Sequence, residues 1–384
     1  MIERAFQGSH RYHLWLLALV ALSAMAVFLF TRQLKEGLTI TAMSQDVPWG
    51  FYIAQLTFLV GVAASAVMVV LPYYLHDFKA FGRITILGEF LAVPAVLLCP
   101  LFVLVDLGQP SRVANLFLHP RPNSMLFWDT VALLGYLALN FIIGWQTIEA
   151  ERNGAPPRPW VRRLVILSIP WAVSIHTVTA FLYAGLPARP YWFTAVLAPR
   201  FLASAFASGP ALLILLAFIV RRVSRFDPGD EAIRALAKIV AYAMVLNLFL
   251  FGVEVFTVLY SGMEHHTIHL RYLFLGVDGQ GASITPFMWA SMTLGAVATM
   301  FLLMPRTRND FRILPAVCGM VFVAIWLDKG AGMITGGFNP TPLGHISPYF
   351  PSMTEVMVGL GLYAFGALIL TLLYKVVLSV REAV

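Results

Sequence analysis

Long apolar runs separated by short polar gaps dominate this chain. Ten of these runs are each close to the roughly 20 residues that an α-helix needs to cross a bilayer. Glycine and proline interrupt several runs, which membrane helices tolerate when neighbouring groups satisfy the freed backbone. The pattern predicts an all-α polytopic membrane protein with ten transmembrane helices. In chain order, predicted helices 1 to 10 cover residues 13–32, 49–75, 84–106, 125–148, 163–186, 201–221, 235–260, 286–304, 313–334 and 354–377.

Composition agrees with this pattern. Hydrophobic residues make up 59% of the chain and charged residues 12%, and the mean hydropathy is +0.80. These values exclude an ordinary soluble domain. We expect a single integral membrane domain over residues 1–384, built from two four-helix bundles. Predicted helices 2–5 (about 49–186) form one bundle, helices 6–9 (about 201–334) form the other, and helices 1 and 10 flank them.

Lysine and arginine collect in alternate gaps. The chain ends and the gaps 76–83, 149–163, 221–238 and 305–312 carry 18 of them, against 7 in the other gaps. Because positive charge marks cytoplasmic loops, the first set and both termini are predicted to be cytoplasmic, in a bacterial inner membrane. Residues 13–32 are expected to be an uncleaved signal-anchor helix. The net charge of +7 is then a topology signal and gives no reason to expect nucleic-acid binding.

The predicted outer gaps are longer than the cytoplasmic ones and rich in aromatic residues, proline, glycine and histidine. Long loops on one face commonly shape a site or dock a partner. We therefore expect function at the outer face. Examples of these loops are residues 106–112, 118–125, 187–192 and 336–342.

Several ionisable or amide side chains lie inside the apolar runs. A charge at membrane depth costs about 3 kcal/mol or more unless it is paired or hydrated, so each needs a partner or water. Glu254 is a candidate partner for Lys329. One interpretation is a proton path across the bilayer, and the alternative is a set of interhelical contacts without chemistry. The members of this predicted proton path are Glu89, Asn247, Glu254, Asp328 and Lys329.

A second group of side chains gathers at the outer ends of predicted helices 2–5. Tryptophan and tyrosine at a membrane boundary are commonly only an interfacial belt, and a buried histidine is as often bonded to a neighbouring hydroxyl as it is a ligand. Aromatic rings, hydrogen-bond donors and titratable groups at one depth nevertheless suit a quinone, whose carbonyls need donors and whose protons need acceptors. The predicted quinone-binding residues are Trp49, Tyr52, Gln55, Asp106, Arg112, Asp129 and His176.

No resident metal, haem or iron–sulfur cluster is predicted in this chain. Cys99 and Cys318 are too few for a cluster, which takes about four thiolates. A bis-histidine haem would need a second deep histidine beside His176. Residues 264–269 contain a glutamate and three histidines, which resemble a metal patch, but a solvated or partner-facing loop is the favoured interpretation.

The motifs resemble those of the NrfD/PsrC family of quinone-interacting membrane subunits. Pro48-Trp-Gly50 opens predicted helix 2, Asp106-x-Gly-x-Pro-x-Arg112 follows helix 3, and Pro120-Arg-Pro-Asn-Ser-Met125 precedes Trp128-Asp129. The stretch Gly252–Gly262 resembles the ten-helix branch of that family, which includes HybB, HmcC and DsrP, and DsrP is the most similar. The resemblance runs from about residue 40 to 370.

This resemblance implies a subunit of a respiratory or sulfur-metabolising oxidoreductase complex, without a redox cofactor or enzyme activity of its own. It would exchange electrons between menaquinone or ubiquinone and a periplasmic ferredoxin-like iron–sulfur subunit, beside a cytochrome or catalytic subunit. The quinone would lie near the outer surface, among predicted helices 2–5. Shorter members offer the quinone a histidine and an asparagine on the first core helix, and here Tyr52 and Gln55 stand near those places.

Two other functions stay open at this point. Ten helices with buried charges also fit a secondary transporter, although the short broken segments in matching halves that many transporters carry are not evident. A passive membrane anchor of a redox complex is the other alternative. The direction of electron flow, the quinone type and the terminal substrate do not follow from the residues.

Overall fold

The computed structural model describes residues 2–277 and 283–381. Ten of its helices are long and apolar enough to cross a membrane, as the hydropathy pattern predicts. Numbered in chain order, α1 to α10 are His10–Glu36, Phe51–Leu75, Thr85–Asp106, Met125–Arg152, Pro159–Ala184, Leu197–Val223, Asp230–Tyr260, Thr285–Leu303, Leu314–Phe338 and Met353–Arg381. The protein is an all-α polytopic membrane protein.

Shorter helices cap the bundle or lie in its connections. The longest of these, Glu264–Phe274, follows α7. Single α-helical turns cover Ile2–Ala5, Asn115–Leu118 and Pro305–Arg308, and 3₁₀ segments cover Gly37–Ile40, Lys79–Arg83 and Pro110–Ala114.

The first and last described residues and the arginine-rich connections lie at one end of the bundle, which we name the basic end. Arg381 of α10 binds Glu151 of α4 and the carbonyl of Arg83 there. The longer connections meet at the opposite end, which we name the loop end. Asp46 binds Ser347 there, and the backbone N–H of Ala42 donates to Glu355. The two ends therefore correspond to the two sets of gaps that the charge pattern separates.

Helix α2 is the buried centre of the protein. It packs against α3, α6 and α9, whereas α1 and α10 pack on each other at the periphery. The small residues of α2 allow α6 to approach closely: a Cβ at Gly209 of α6 would lie 2.7 Å from the amide nitrogen of Ser65. Small residues at such a contact let membrane helices pack backbone to backbone. Buried side chains of α2 and α6 belong to one continuous core. The division into two four-helix bundles stays a prediction.

Two helices differ from their predicted bounds in ways that bear on function. Helix α6 begins at Leu197, four residues before its predicted start, and so takes Arg200 into the bundle. Helix α9 extends to Phe338 and contains a π-helical segment, Trp326–Gly332. Such π segments occur often at functional sites, because the wider turn redirects the side chains around it.

Candidate functional site

An apolar cavity of about 410 Å³ lies at the loop end between α2, α8, α9 and α10. Its volume is within the range of small-molecule sites, which runs from about 300 to 1,000 Å³. The wall combines aromatic and aliphatic side chains with a few polar groups. Its lining residues are Gly50, Phe51, Ala54, Gln55, Ser283, Ile284, Phe287, Trp326, Leu327, Ala331, Ile334, Thr335, Tyr349, Phe350, Pro351, Val356, Leu360 and Tyr363.

Gln55 is the most highly connected polar group of this wall. Its Oε1 accepts hydrogen bonds from Trp326 Nε1 at 2.8 Å and from the Tyr363 hydroxyl at 2.7 Å. Its Nε2 donates to the carbonyl of Phe51 at 3.1 Å, one turn earlier in α2. The three bonds fix the amide and join α2, α9 and α10. Trp326 Nε1 or the Tyr363 hydroxyl can donate to a ligand carbonyl in the cavity only if it gives up its hydrogen bond to Gln55.

A carboxylate network lies behind the cavity wall, next to the lining residue Tyr349. Glu355, at the start of α10, accepts from the Tyr349 hydroxyl at 2.6 Å and from the amide of Ser352 at 2.8 Å. The Tyr349 hydroxyl in turn accepts from the amide of Phe51 at 2.6 Å. Burial and the adjacent Glu355 raise the pKa of Tyr349 far above that of a free tyrosine. Sequence reasoning missed Glu355, because it stands at the end of an apolar run, where a charge is unremarkable.

Tyr52 and Asp106 lie within electrostatic range of this carboxylate network. The Tyr52 hydroxyl donates to Gln33 Oε1 at 3.0 Å, and Gln33 Nε2 donates to the carbonyl of Val105 at 2.6 Å. Asp106 lies within electrostatic range of both Tyr52 and Glu355. Its Oδ1 is buried without a hydrogen-bond partner among the described residues. Two carboxyl groups, Asp106 and Glu355, therefore flank the first turn of α2.

Trp49 belongs to a separate aromatic cluster. Its ring stacks on Trp192, with the centroids 5.9 Å apart and the planes 24° from parallel, and meets Tyr183 and Phe338 edge to face. Trp192 is fully buried, and its Nε1 donates to the carbonyl of Met333. The cluster anchors the connection after α5 to α9.

The other predicted quinone residues lie apart from the cavity. Asp129 accepts from the Thr179 hydroxyl at 2.5 Å, between α4 and α5. His176 is fully buried, with Nδ1 2.6 Å from the carbonyl of Ala172, so its partner is backbone and not a hydroxyl. Arg112 is exposed in the connection after α3. Of the seven predicted residues, Gln55 alone lines the cavity; whether the others touch a quinone stays a prediction.

A buried ion-pair cluster lies between α6, α7 and α9. Arg200 Nη1 binds Glu254 Oε2 at 2.8 Å, and its Nη2 binds both carboxylate oxygens of Asp328 at 2.7 and 2.9 Å. The predicted pairing of Glu254 with Lys329 is wrong. The hydropathy pattern assigns Arg200 to a loop, and the early start of α6 carries it to the carboxylates instead.

Lys329 lies beside this cluster but outside its hydrogen bonds. Its Nζ is 3.6 Å from the centroid of the Phe201 ring and has no hydrogen-bond partner among the described residues. A space of about 10 Å³ adjoins Lys329, Arg200 and Glu254, which is room for about one water molecule. Glu254 also lines a vestibule of about 150 Å³ that includes His266, so one carboxylate faces both spaces.

The structure does not bring the whole predicted proton path together. Asn247 lies two turns before Glu254 on α7. Glu89 lies elsewhere, at the basic end of α3, within electrostatic range of Glu151 and Arg381. Its Oε2 is buried without a hydrogen-bond partner among the described residues. The predicted members are therefore divided: Glu254, Asp328 and Lys329 lie together, whereas Asn247 and Glu89 are separate from them.

The π-helical segment of α9 links the cavity to the ion-pair cluster. Trp326 and Leu327 line the cavity, and Trp326 donates to Gln55. The next two residues, Asp328 and Lys329, belong to the cluster on the other side of the helix. Consecutive residues of this segment thus contribute to both the cavity and the ion-pair cluster.

The histidine-rich connection after α7 is partly folded against α9. His269 Nδ1 lies 2.8 Å from the carbonyl oxygens of both Gly336 and Asn339. Burial lowers the pKa of His269 against the effect of these two carbonyls, and the nearby Arg189 lowers it further. The helix Glu264–Phe274 is therefore docked through a neutral imidazole.

These features define a ten-helix membrane protein with an apolar ligand cavity beside a buried ion-pair cluster. The chain belongs to the polysulphide reductase NrfD family, which matches residues 39–330. This membership confirms the family resemblance that the motifs predict.

Relatives of this chain are components of reductases or of a menaquinol oxidoreductase. The chain is 25% identical over 396 residues to a putative dimethyl sulfoxide reductase membrane subunit of Halobacterium salinarum, covering 92% of this chain and 88% of that protein. It is 23% identical over 392 residues to an Hdr-like menaquinol oxidoreductase integral membrane subunit of Archaeoglobus fulgidus, covering 97% and 95%. A selenate reductase subunit of Mesobacillus selenatarsenatis is 25% identical over 279 residues, covering 64% and 65%.

Proposed function

We propose that this chain is the quinone-reactive membrane subunit of a respiratory oxidoreductase complex. The cavity beside Gln55 carries the proposal, since it is apolar, of ligand size and lined by hydrogen-bond donors. Family membership and the menaquinol oxidoreductase relative support it. The chain would span a bacterial inner membrane with both termini in the cytoplasm, as the charge pattern indicates.

The cavity can accommodate a quinone ring between its aromatic side chains. One carbonyl oxygen would accept from Trp326 Nε1 or the Tyr363 hydroxyl, which now donate to Gln55. Protons released on quinol oxidation need a nearby base, and Glu355 accepts a hydrogen bond from the lining residue Tyr349. Asp106, whose Oδ1 has no hydrogen-bond partner in the described structure, is the second candidate.

Electrons would leave from the loop end to a partner that carries the redox centres. We propose a periplasmic ferredoxin-like iron–sulfur subunit, followed by a cytochrome or catalytic subunit. The loop end presents exposed apolar side chains that a partner can cover, among them Phe117, Leu343 and Phe350. The relatives named as subunits of reductases support assembly into a multi-subunit complex.

Filling the cavity tests the proposed site without removing a polar group. Ala331 lines the cavity, and Ala331→Trp should block a quinone ring there. Ala316, near the basic end of the same helix, is exposed, so Ala316→Trp is a matched control. In membranes containing the whole complex, we expect quinol oxidation to fall at least about tenfold in Ala331→Trp, with electron transfer from an artificial donor to the partner retained. Wild-type quinol kinetics in a stable Ala331→Trp complex would refute the cavity as the site.

The same assay separates the cavity from a site within α2–α5. Asp106→Asn, Asp129→Asn and His176→Phe change the predicted inner residues without altering the cavity wall. Loss of quinol oxidation in Asp129→Asn and His176→Phe, with normal kinetics in Ala331→Trp, would locate the quinone within α2–α5. Retention of activity in every variant would indicate a passive anchor.

A proton-translocating role is a second proposal, favoured by the ion-pair cluster and its vestibule. Glu254 faces the vestibule on one side and Arg200 on the other. Glu254→Gln in proteoliposomes of the whole complex should lower the ratio of protons moved to electrons transferred while electron transfer continues. An unchanged proton-to-electron ratio would indicate that the cluster has only a structural role.

A further inference from the structure

A cleft of about 1080 Å³ opens at the basic end, far from the cavity beside Gln55. It lies where α3 begins and where α4, α6 and α10 end, and the connection from α6 to α7 forms one wall. Helix ends of a membrane protein lie at the depth of the lipid headgroups. The lining residues are Gly82, Arg83, Glu151, Arg222, Val223, Ser224, Arg225, Phe226, Asp227, Val380 and Arg381.

The two acids of the cleft are already neutralised by the protein. Glu151 accepts two hydrogen bonds from Arg381, at 2.7 and 2.9 Å. Asp227 accepts from Arg221 Nε and from the amide of Gly229, each at 3.0 Å. The Gly229 amide, followed by Arg221, lowers the pKa of Asp227, which is therefore ionised and paired. Neither carboxylate is free to repel an anion at full strength.

Two arginines of the cleft remain available. The guanidinium groups of Arg83 and Arg222 are exposed and form no hydrogen bond or ion pair within residues 2–277 and 283–381. Arg83 lies within electrostatic range of Asp227, which Arg221 already pairs. Guanidinium groups bind phosphate oxygens in a planar, two-pronged geometry. Phe226, Val223 and Val380 add apolar surface beside them. The site thus combines charge for a phosphate with an apolar wall for a glycerol or acyl chain.

Most of the helix dipoles at the cleft disfavour an anion. Three of the bordering helices, α4, α6 and α10, end at the cleft, where a helix carries partial negative charge, and only α3 begins there. An anion would therefore depend mainly on the arginines. Basic pockets between helices on the cytoplasmic side are recognised sites for anionic lipid headgroups.

We propose that this cleft binds the phosphodiester headgroup of an anionic phospholipid, with Arg83 and Arg222 as its ligands. A bound lipid would add a bridge between the beginning of α3 and the end of α6. The proposal is independent of the quinone site at the opposite end.

Lipid binding to the purified, delipidated chain tests this directly. Native mass spectrometry would count bound phosphatidylglycerol, with phosphatidylcholine as the neutral comparison and inorganic phosphate as the soluble anion. The test variant is Arg83→Gln/Arg222→Gln. The control, Arg306→Gln/Arg312→Gln, removes the same charge from exposed positions in the connection between α8 and α9.

We expect wild type and control to bind phosphatidylglycerol in preference to phosphatidylcholine, and the test variant to bind it about tenfold or more weakly. Arg83→Lys/Arg222→Lys should recover part of this loss, because it restores charge without the planar fork. Unchanged thermal unfolding in detergent without lipid would show that the variants are folded. Equal phosphatidylglycerol binding by test and control variants would overturn the site. Binding of inorganic phosphate as strong as that of phosphatidylglycerol would overturn the assignment to a lipid.

Discussion

Removing Arg200 should destabilise the protein strongly, because this one guanidinium holds two buried carboxylates. Glu254 and Asp328 are 8% and 5% exposed and receive its hydrogen bonds at 2.7 to 2.9 Å. Breaking a buried ion pair by deleting one partner costs about 3–5 kcal/mol. The guanidinium also lies 4.7 Å from the centroid of the Phe251 ring, a contact worth about 0.5–2 kcal/mol. We therefore expect Arg200→Gln to lower the unfolding free energy by about 3–5 kcal/mol.

A neutral triple variant isolates the cause. In Arg200→Gln/Glu254→Gln/Asp328→Asn the carboxylates lose their charge together with their partner. Most of the cost of breaking a buried ion pair comes from the charge left without a partner. The triple variant leaves no carboxylate charge at these positions, so we expect it to recover most of the loss. Lys329 and Tyr191 would then be the ionisable groups that remain beside the cluster, and the packing of Lys329 against Phe201 stays in place.

Unfolding in mixed micelles, followed by circular dichroism against the fraction of dodecyl sulfate, measures both variants. The reasoning is refuted if Arg200→Gln loses less than about 1 kcal/mol, well under the cost of a broken buried pair, or if the triple variant is less stable than Arg200→Gln alone. Either result would mean that the carboxylates find water or protons in the folded protein at little cost.

Two further predictions concern the connections at the loop end. A Cβ at Gly337 would lie 1.9 Å from Trp192, so Gly337→Ala should cost about 1–3 kcal/mol of stability through overpacking. The control is Gly252→Ala, where a Cβ meets nothing within 4 Å. Equal unfolding curves for the two variants would contradict the close contact at Gly337. Burial lowers the pKa of His269, so the folded state disfavours the charged imidazole. The contribution of His269 to the unfolding free energy should be constant above about pH 6.5, the ordinary pKa of histidine. It should fall as the pH drops from there towards the folded-state pKa. His269→Gln should flatten this dependence, and a wild-type curve flat down to about pH 5 would contradict the prediction.

Much of the fold follows from the sequence because a bilayer leaves few choices. Backbone groups in hydrocarbon must be satisfied within a helix, so ten apolar runs give ten helices, and each is found near its predicted place. The error at Arg200 has a physical origin. An arginine at the boundary of an apolar run is ordinarily a loop residue, and only its two partners, 54 and 128 positions away, justify its burial.

The candidate cavity lies beyond sequence reasoning for a related reason. Its polar contact joins Gln55 to Tyr363, residues 308 positions apart, and to Trp326 on a third helix. Hydropathy places a residue at a depth but does not say which helices are neighbours. The predicted site uses consecutive helices 2–5, whereas the cavity uses α2 with α8, α9 and α10. Gln55 belongs to both because α2 lies at the centre of the bundle.

The π-helical segment of α9 links the two proposed sites through the backbone. Trp326 must break its bond to Gln55 if it is to bind a quinone carbonyl, and Asp328, two residues later, is held by Arg200. A movement of the first side chain within so wide a turn shifts the backbone that carries the second. Because Arg200 also binds Glu254, such a shift would change how strongly the guanidinium binds each of the two carboxylates. Redox chemistry at the cavity would then alter protonation at the cluster without any direct contact between quinone and carboxylate.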